Sequence, residues 1–503
     1  MRPMPPDFNH HDVPQRLLRW RDVYREAELY KAAVQVYTKP LFFWRKALSV
    51  STDGRTLYDF AARGLKGLGA IHEQLRAERF HFRPSAGLKY NFNGKRRTLY
   101  IPPWEERIVD LLIYRVLNRR LHHWFSPSCY AYRDRTYGLD RCQSRIRAAL
   151  RKSGSPIYVV KRDISDYFAS VNHEILLRQL AEHVAPGDYL SELLCERIRF
   201  EYQDEAGSHQ AAIGLPFGCA SACAASNIYL TGLDREIEGV AGVHYFRYAD
   251  DMLLLSSSRE EILLAKERLH ASVSELHLTT KASHEADLVL SARTGASDLQ
   301  FGAATAFRHL GLQFEAGGEV SLSRDKQRKI QNLFRFAFRR SRRRWQKIPD
   351  PRERARTLIA IACQTVERGV RNVAILDYYL KHVTDVSQLE LLDRWLAEEI
   401  LSWVFGGHKK GHFAKISYQE LRGYGLPSLV HRQRLILHGK IDSPFFIWQQ
   451  QKADRAFKGT VASRKRASGA ASDFSLHPEA AAQEKPVRGG GRLYMGVMEY
   501  DSR

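Results

Sequence analysis

Apolar positions change period several times along the 503-residue chain, and each change marks the edge of an element. From about Leu17 to Gln35, and again from Leu57 to Arg79, they recur at the spacing of an amphipathic helix, so a helical leader is expected over residues 1–84. In GLKYNFNGKRRTLYIP two β-prone runs flank Asn93-Gly94, a dipeptide that favours a tight hairpin turn, and Pro102-Pro103 ends the second run. Helical spacing resumes from Trp104 to Trp124 through Ile108, Leu111, Leu112, Val116, Leu117 and Leu121, with a basic outer face.

Two later strand-like runs end in acids. PIYVVKRDISDYF reaches Asp163 and Asp166 before Asn172 and a helix that starts HEILLRQL; HYFRYADDMLLLS has apolar β-formers on both sides of Asp250-Asp251, an acidic hairpin tip. A mixed α/β layer follows, with carboxylates delivered from separate strands. After Leu322 the chain becomes a basic helix, QRKIQNLFRFAFRRSRRRWQK, and further helical segments reach about Leu437. From about Lys452 it is rich in Ala, Ser, Gly, Lys and Arg, a composition expected to stay flexible or to fold only on a partner. The expected units are therefore 1–84, 85–320, a helical 321–450 and a basic tail, 451–503.

Charge adds a partner class. With 78 Lys and Arg against 56 Asp and Glu, the net charge is +22, which draws polyanions to the surface and makes nucleic acid the leading partner. An anionic membrane surface, or mere solubility, is the blander alternative. No window approaches the roughly 18 apolar residues of a membrane span, and the first residues lack the apolar core of a signal peptide, so a cytoplasmic protein without a membrane partner is expected. The six cysteines are scattered and form no CxxC pair, which excludes a zinc ribbon and a disulfide framework and leaves reduced, buried thiols.

Acids at the ends of adjacent strands suit one chemistry well. Joining a nucleotide to a 3′-hydroxyl uses two divalent ions roughly 4 Å apart, and hard Mg²⁺ takes a few carboxylate oxygens while leaving room for water and phosphate. Asp163, Asp250 and Asp251 would supply them. Taken singly, each acidic motif is equally an ordinary turn or a helix cap.

The ordered set says more. RDISDYF, GLPFGCASACAASNIYL, YFRYADDMLLL and FRHLGLQF follow the order and approximate spacing of the palm motifs of reverse transcriptases, and KRRTLYIP, EERIV and YAYR resemble the finger motifs of the bacterial group. The resemblance runs from about Lys95 to Phe314. It implies an α+β right-hand polymerase: fingers and a palm whose antiparallel sheet carries the Asp-Asp hairpin, then an all-helical thumb and C-terminal extension. It implies two Mg²⁺ ions, with Mn²⁺ able to substitute, held by Asp163, Asp250 and Asp251, with the carbonyl of Ile164 beside them. Phe168 matches the aromatic that blocks a ribose 2′-hydroxyl and so selects dNTPs. Arg97, with Lys95 and Arg96, matches the finger group that closes on the triphosphate, where a guanidinium fork suits phosphate. Gly214, Pro216, Gly218 and Asn227 match the segment lining the nucleotide and template. Here the chain departs from its family, with Phe217 for the usual Gln and Ala222 for the usual Ser.

Lys281, with His284 nearby, is the candidate acid for the departing pyrophosphate. In the basic helix Arg335, Arg339, Arg340, Arg342, Arg343 and Arg344 interleave with Phe334, Phe336, Phe338 and Trp345, as a thumb that tracks phosphates requires. SYQELRGYGLPSLVHRQRLILHGK resembles a C-terminal segment of some bacterial enzymes, with His431, Arg432 and Arg434 as RNA contacts. Tyr494 and Tyr500 are the candidates for a protein primer. Without a Cys-rich nuclease module or a Val-Thr-Gly motif after the palm, the chain looks most like the defence-associated, or unknown-group, reverse transcriptases. That likeness implies a dedicated noncoding RNA as template or scaffold, a DNA product that restrains phage, and room for a homo-oligomer. The alternative is a protein like a group II intron maturase, which folds and splices RNA and has reverse transcriptase activity.

Overall fold

The computed structural model describes residues 17–39, 49–92, 95–133, 137–291, 300–367 and 371–440. Its centre is a five-stranded sheet in the order β6-β7-β3-β8-β9, formed by β3 (Ile157–Asp163), β6 (His244–Tyr248), β7 (Asp251–Ser256), β8 (Ala286–Leu290) and β9 (Gly302–Ala304). All its pairings are antiparallel except that of β8 with the edge strand β9.

Alternation along these strands gives each face its own core. Val160, Met252, Leu254, Tyr245 and Val289 pack on one side with the helices Trp104–Arg120, Ala220–Glu238 and Arg259–Glu275. Ile157, Val159, Leu253, Leu255 and Phe246 face the other side, where they join the helix Leu139–Lys152, a small antiparallel sheet of β10 (Ala306–His309), β11 (Leu312–Glu315) and β12 (Val320–Leu322), and the C-terminal helices. The palm and the helical C-terminal region thus share one core.

The helix Ala220–Glu238 is buried along most of its length. Its ASACAAS start carries only short side chains, which lets it lie close against Trp104–Arg120. Cys219 gives it no side-chain cap; Asp110 of the neighbouring helix supplies one instead, accepting from the backbone N–H of Ala220 at 2.5 Å and from the N–H and hydroxyl of Ser221. Arg197, itself buried, holds the other side of that carboxylate at 3.0 Å.

The expected hairpin forms from β1 (Ser85–Phe92) and β2 (Lys95–Ile101), in register from Ala86 opposite Ile101 to Phe92 opposite Lys95. A short hairpin, β4 (Glu201–Asp204) and β5 (Gly207–Gln210), extends this sheet.

Each leader helix is broken where a single run was expected. The first divides into Trp20–Val23 and Glu26–Thr38, because Tyr24 turns extended to stack on Trp20 at 4.8 Å and to bring its hydroxyl 2.7 Å from His72 Nδ1. The second divides into Leu57–Ala62, opened by a Thr56/Asp59 capping box, and Gly64–Arg76, with Gly64 at φ +51°. The leader docks on the finger helix through Glu28. Burial pushes this carboxyl up, but hydrogen bonds from Lys31, Arg115 and Arg119 hold it down at about 2.

The basic helix spans Arg324–Arg340 and buries Ile330, Phe334 and Phe338; after a break at Ser341 the chain adds Arg342–Trp345. Pro351–Glu367, Arg371–His382, Val386–Phe405, Tyr418–Gly423 and Leu429–Leu437 complete the helical region. No described helix is long and apolar enough to cross a membrane. The expected tail, with Tyr494 and Tyr500, lies outside the described residues.

Candidate active site

The register of the central sheet places the acids. Asp163 is paired directly with Asp251 across β3 and β7, so their side chains leave the same face. That face carries Val159 and Leu253 lower down, and Lys161 continues its line on β3. Tyr248 pairs with Asp251 on β6 and β7, which leaves Ala249 and Asp250 as a two-residue turn. Ala249 adopts φ +59°, a left-handed backbone that costs an alanine roughly 1–2 kcal/mol. The turn thereby sets Asp250 beside Asp163 and Asp251.

Charge accumulates here. Burial pushes the Asp250 carboxyl up to about 6, with Asp163 and Asp251 adding to the rise and Arg97 opposing it. Burial likewise pushes Asp251 to about 6, where Lys161 and His284 pull against Asp163. Among the described residues no three His, Cys, Asp or Glu side chains stand in finished ligand geometry for a metal. The donor set nevertheless fits a hard divalent cation: oxygen donors only, on two neighbouring strands and the turn between β6 and β7, whose mutual repulsion a cation would relieve.

The segment between β3 and the next helix closes round these acids. Ile164 forms an isolated bridge with Thr280, and the Lys281 N–H donates to the Asp163 carbonyl at 2.8 Å. The group that reaches the Asp163 carboxylate is His284, with Nδ1 2.7 Å from Oδ2. The candidate acid Lys281 thus meets Asp163 through its backbone, and His284 holds the place at the carboxylate. Asp166 does not cap the helix that follows; Asn172 caps the one after it, accepting from Glu174 and Ile175 N–H.

Phe168 stands beside Tyr132 at 6.3 Å and Phe217 at 5.8 Å, edge-on to both. The loop bearing Phe217 is stitched to Phe168, Leu215 N–H donating to the Phe168 carbonyl at 2.6 Å, and to the finger hairpin, Tyr100 N–H donating to the Phe217 carbonyl at 2.9 Å. Gly214 is required there: its φ is +88°, and a Cβ would lie 3.0 Å from the Ala169 carbonyl oxygen. Gly218 turns at φ +117°. Phe217, where the family has a polar residue, packs with Leu99 and Ile101 and carries the Arg97 guanidinium over its ring at 5.3 Å. Arg97, Phe168 and Phe217 therefore form one wall. Lys95 begins β2, and its side chain lies outside what is described. Ala222 lines a cavity of about 10 Å³ with Leu215, Ser221 and Ala225.

The arginines divide into two groups. Arg339, Arg340, Arg343, Arg344 and Arg434 are exposed, with Arg344 reaching Gln364 at 3.4 Å. Arg432, expected on RNA, instead forks onto the buried carboxylate of Asp377 at 2.6 and 3.0 Å and is 11% exposed; it is engaged in joining two helices. Arg335 likewise pairs with Glu399 at 2.9 Å.

Four residues near the acids carried no clear signal in the sequence. Lys161 could have been found by counting two back from Asp163 along the strand. His309, wholly buried with Nδ1 3.7 Å from Asp251 Oδ1, and the buried Arg247–Asp234 pair behind the turn show only in the fold.

Comparison with known proteins agrees with this geometry. Residues 88–311 match the family model described as reverse transcriptase (RNA-dependent DNA polymerase). The Retron Ec83 reverse transcriptase of Escherichia coli is 25% identical over 188 residues, which cover 36% of this chain and 56% of that protein. This chain thus spans little more than half the length of the curated relative it matches. Among solved structures, apo telomerase from Candida tropicalis aligns with a TM-score of 0.40 at 11% identity over 70% of this chain and 69% of that one. Telomerase from the same organism with a fragment of telomeric RNA gives 0.39 at 11% over 69% and 64%. Likenesses that distant leave the assignment on the family match and the palm geometry. Residues 88–311 are a reverse transcriptase domain, related to that of a bacterial retron enzyme.

Proposed function

We propose that this protein is an RNA-directed DNA polymerase that extends a 3′-hydroxyl with dNTPs along an RNA template. The observation that supports it most is the pairing of Asp163 with Asp251 at one end of the palm sheet, with Asp250 in the adjoining turn and Arg97 of the finger hairpin close enough to bias it. Asp163, Asp250 and Asp251 would hold two divalent cations, Mg²⁺ by preference for oxygen ligands, which activate the attacking hydroxyl and neutralise the leaving pyrophosphate. The chain's own groups do the rest. Arg97 leaves the Phe217 ring to fork onto the triphosphate. Phe168 walls the sugar and leaves no room for a 2′-hydroxyl. His284, beside Asp163, is placed to hold or pass a proton. The exposed arginines 339, 340 and 343 grip the backbone of the template–product duplex.

The resemblance of the palm and the long helical C-terminal region to the defence-associated group supports a dedicated noncoding RNA as template and a DNA product that restrains phage. One preparation tests both levels. The protein is purified with its bound nucleic acid, given Mg²⁺ and dNTPs, and any DNA formed is sequenced beside an Asp250→Ala/Asp251→Ala control. DNA copied from one co-purified RNA, and only with intact aspartates, is the expected result; no DNA from either protein overturns the polymerase reading. Plaque counts in cells carrying the same two versions test the role in defence.

A further inference from the structure

The geometry points to Arg247 as a positioning residue that holds the catalytic turn from behind, which deepens the polymerase reading and rests on it. Asp163 and Asp251 leave the front of the sheet; Arg247, on β6 between Phe246 and Tyr248, leaves the back, toward the helix Ala220–Glu238. Its side chain is wholly buried, as is that of Asp234 on this helix. Nε and Nη2 fork onto Asp234 at 2.6 Å each, and the Tyr245 hydroxyl donates to the same carboxylate at 2.9 Å. The remaining nitrogen, Nη1, donates to two further oxygens: the side-chain oxygen of Asn227 and the carbonyl of Ala249, both at 3.2 Å. Asn227 in turn donates to the Ala131 carbonyl at 2.8 Å.

Stability alone does not explain this arrangement. Burying two charges costs about as much as their attraction returns, and apolar residues of similar volume commonly replace such pairs without loss. What an apolar pair cannot do is hold the Ala249 carbonyl. Ala249 is the turn residue in left-handed backbone, and Asp250 follows it directly; a strained residue keeps its conformation only where its surroundings over-determine it. Arg247 is that constraint. It fixes the peptide before Asp250 to the helix Ala220–Glu238, and so sets where the Asp250 carboxylate stands relative to Asp163 and Asp251.

The test replaces the pair as a unit, Arg247→Met with Asp234→Leu, so that no lone charge stays buried. Melting by circular dichroism is expected to remain near that of the parent. Mn²⁺ alone, titrated by calorimetry against each protein, is expected to bind about 10–100-fold more weakly in the variant, the usual effect of losing a partner that orients a metal ligand. In single-nucleotide extension kcat falls over the same range while KM for dNTP holds, because Arg97, Phe168 and Phe217 are untouched. A folded double variant with parental Mn²⁺ affinity overturns the inference. Should the double variant fail to fold, Arg247→Lys carries the test: its single ammonium stays opposite Asp234 but cannot also span to Ala249, and parental Mn²⁺ binding there refutes the role equally. A parent that makes no DNA, with Mn²⁺ binding still weakened in the variant, would sink the polymerase reading and leave the positioning role standing.

Discussion

Replacing one of the proposed catalytic acids should make the metal-free protein more stable while destroying the proposed activity. In Asp250→Asn the amide keeps the size and polarity of the side chain and removes its charge. Burial and the neighbouring carboxylates raise Asp250 from an ordinary 3.8 to about 6. A carboxyl raised in the folded state favours the fold when protonated: that contribution is full below the unfolded value and is lost as pH climbs through about 6. At about pH 8 the metal-free wild type therefore bears the whole penalty of the charged turn, while the variant bears none of it. A carboxyl held that far above its ordinary value costs the charged fold roughly 3 kcal/mol, and screening at a partly exposed site reduces this to about 1–2 kcal/mol. Chemical denaturation in EDTA at about pH 8 should show the variant ahead by that amount, and at about pH 4 the difference should close. Mg²⁺ should then stabilise the wild type more than the variant, since ions that bind only the folded state add stability by mass action. A variant no more stable than wild type at about pH 8, or ahead by the same margin at about pH 4, would refute the argument that these acids repel one another until a cation arrives.

The raised carboxyls also predict that polymerisation, where it depends on Mg²⁺, weakens as pH falls through about 6, because protonated Asp250 and Asp251 no longer bind the ion; a pH profile at fixed, subsaturating Mg²⁺ checks this, and higher Mg²⁺ should move the fall to lower pH. Arg97→Ala is expected to raise KM for dNTP by roughly tenfold to a hundredfold, the worth of a charge-assisted contact to phosphate, with duplex binding unchanged. Phe168→Ala opens the wall beside the sugar and should relax the preference for dNTP over rNTP by about tenfold or more, read from paired incorporation rates. Phe336, 57% exposed on the basic helix, and the arginines beside it should separate by salt: Arg340→Ala lowers the slope of log K against log salt by about one, whereas Phe336→Ala weakens binding through stacking and leaves the slope alone.

The palm was legible in the sequence because its strands obey a simple rule and end on their acids. Val159, Val160 and the run Met252–Leu255 alternate between two covered faces, and Asp163 and Asp251 stand at the neighbouring ends of these two strands. The finger hairpin was legible for the same reason, marked by Asn93-Gly94. The helix breaks at Tyr24, Arg63 and Ser341 were not; at Tyr24 the backbone turns extended and the hydroxyl meets His72 on another helix, a partner that local spacing does not reveal. Phe217 and Ala222 were visible as departures from the family, but the sequence did not show that Phe217 would pack under Arg97 and bind the fingers to the palm.

Arg432, expected on RNA, is instead paired within the fold, and the difference has a physical cause. A sequence reports that a residue is charged; it does not report whether the charge has been met. Arg162, Arg197, Arg247 and Arg432 each fork onto or lie against a buried or half-buried carboxylate, at Asp287, Asp110, Asp234 and Asp377, and each partner is far away in sequence or on another element. Their charge is neutralised inside the fold and adds little to the field outside. Arg339, Arg340 and Arg343 stand exposed on a single helix and its short continuation. Burial of Phe334 and Phe338 on the other side of that helix gives a fixed ridge from which those guanidinium groups project. The ion-paired arginines are already offset by their acids in the net charge of +22, so the surplus that draws a polyanion sits on other residues, the exposed stripe of the basic helix among them. The arginines that form buried ion pairs and those proposed to grip nucleic acid are then different residues, so the two sets can be altered independently.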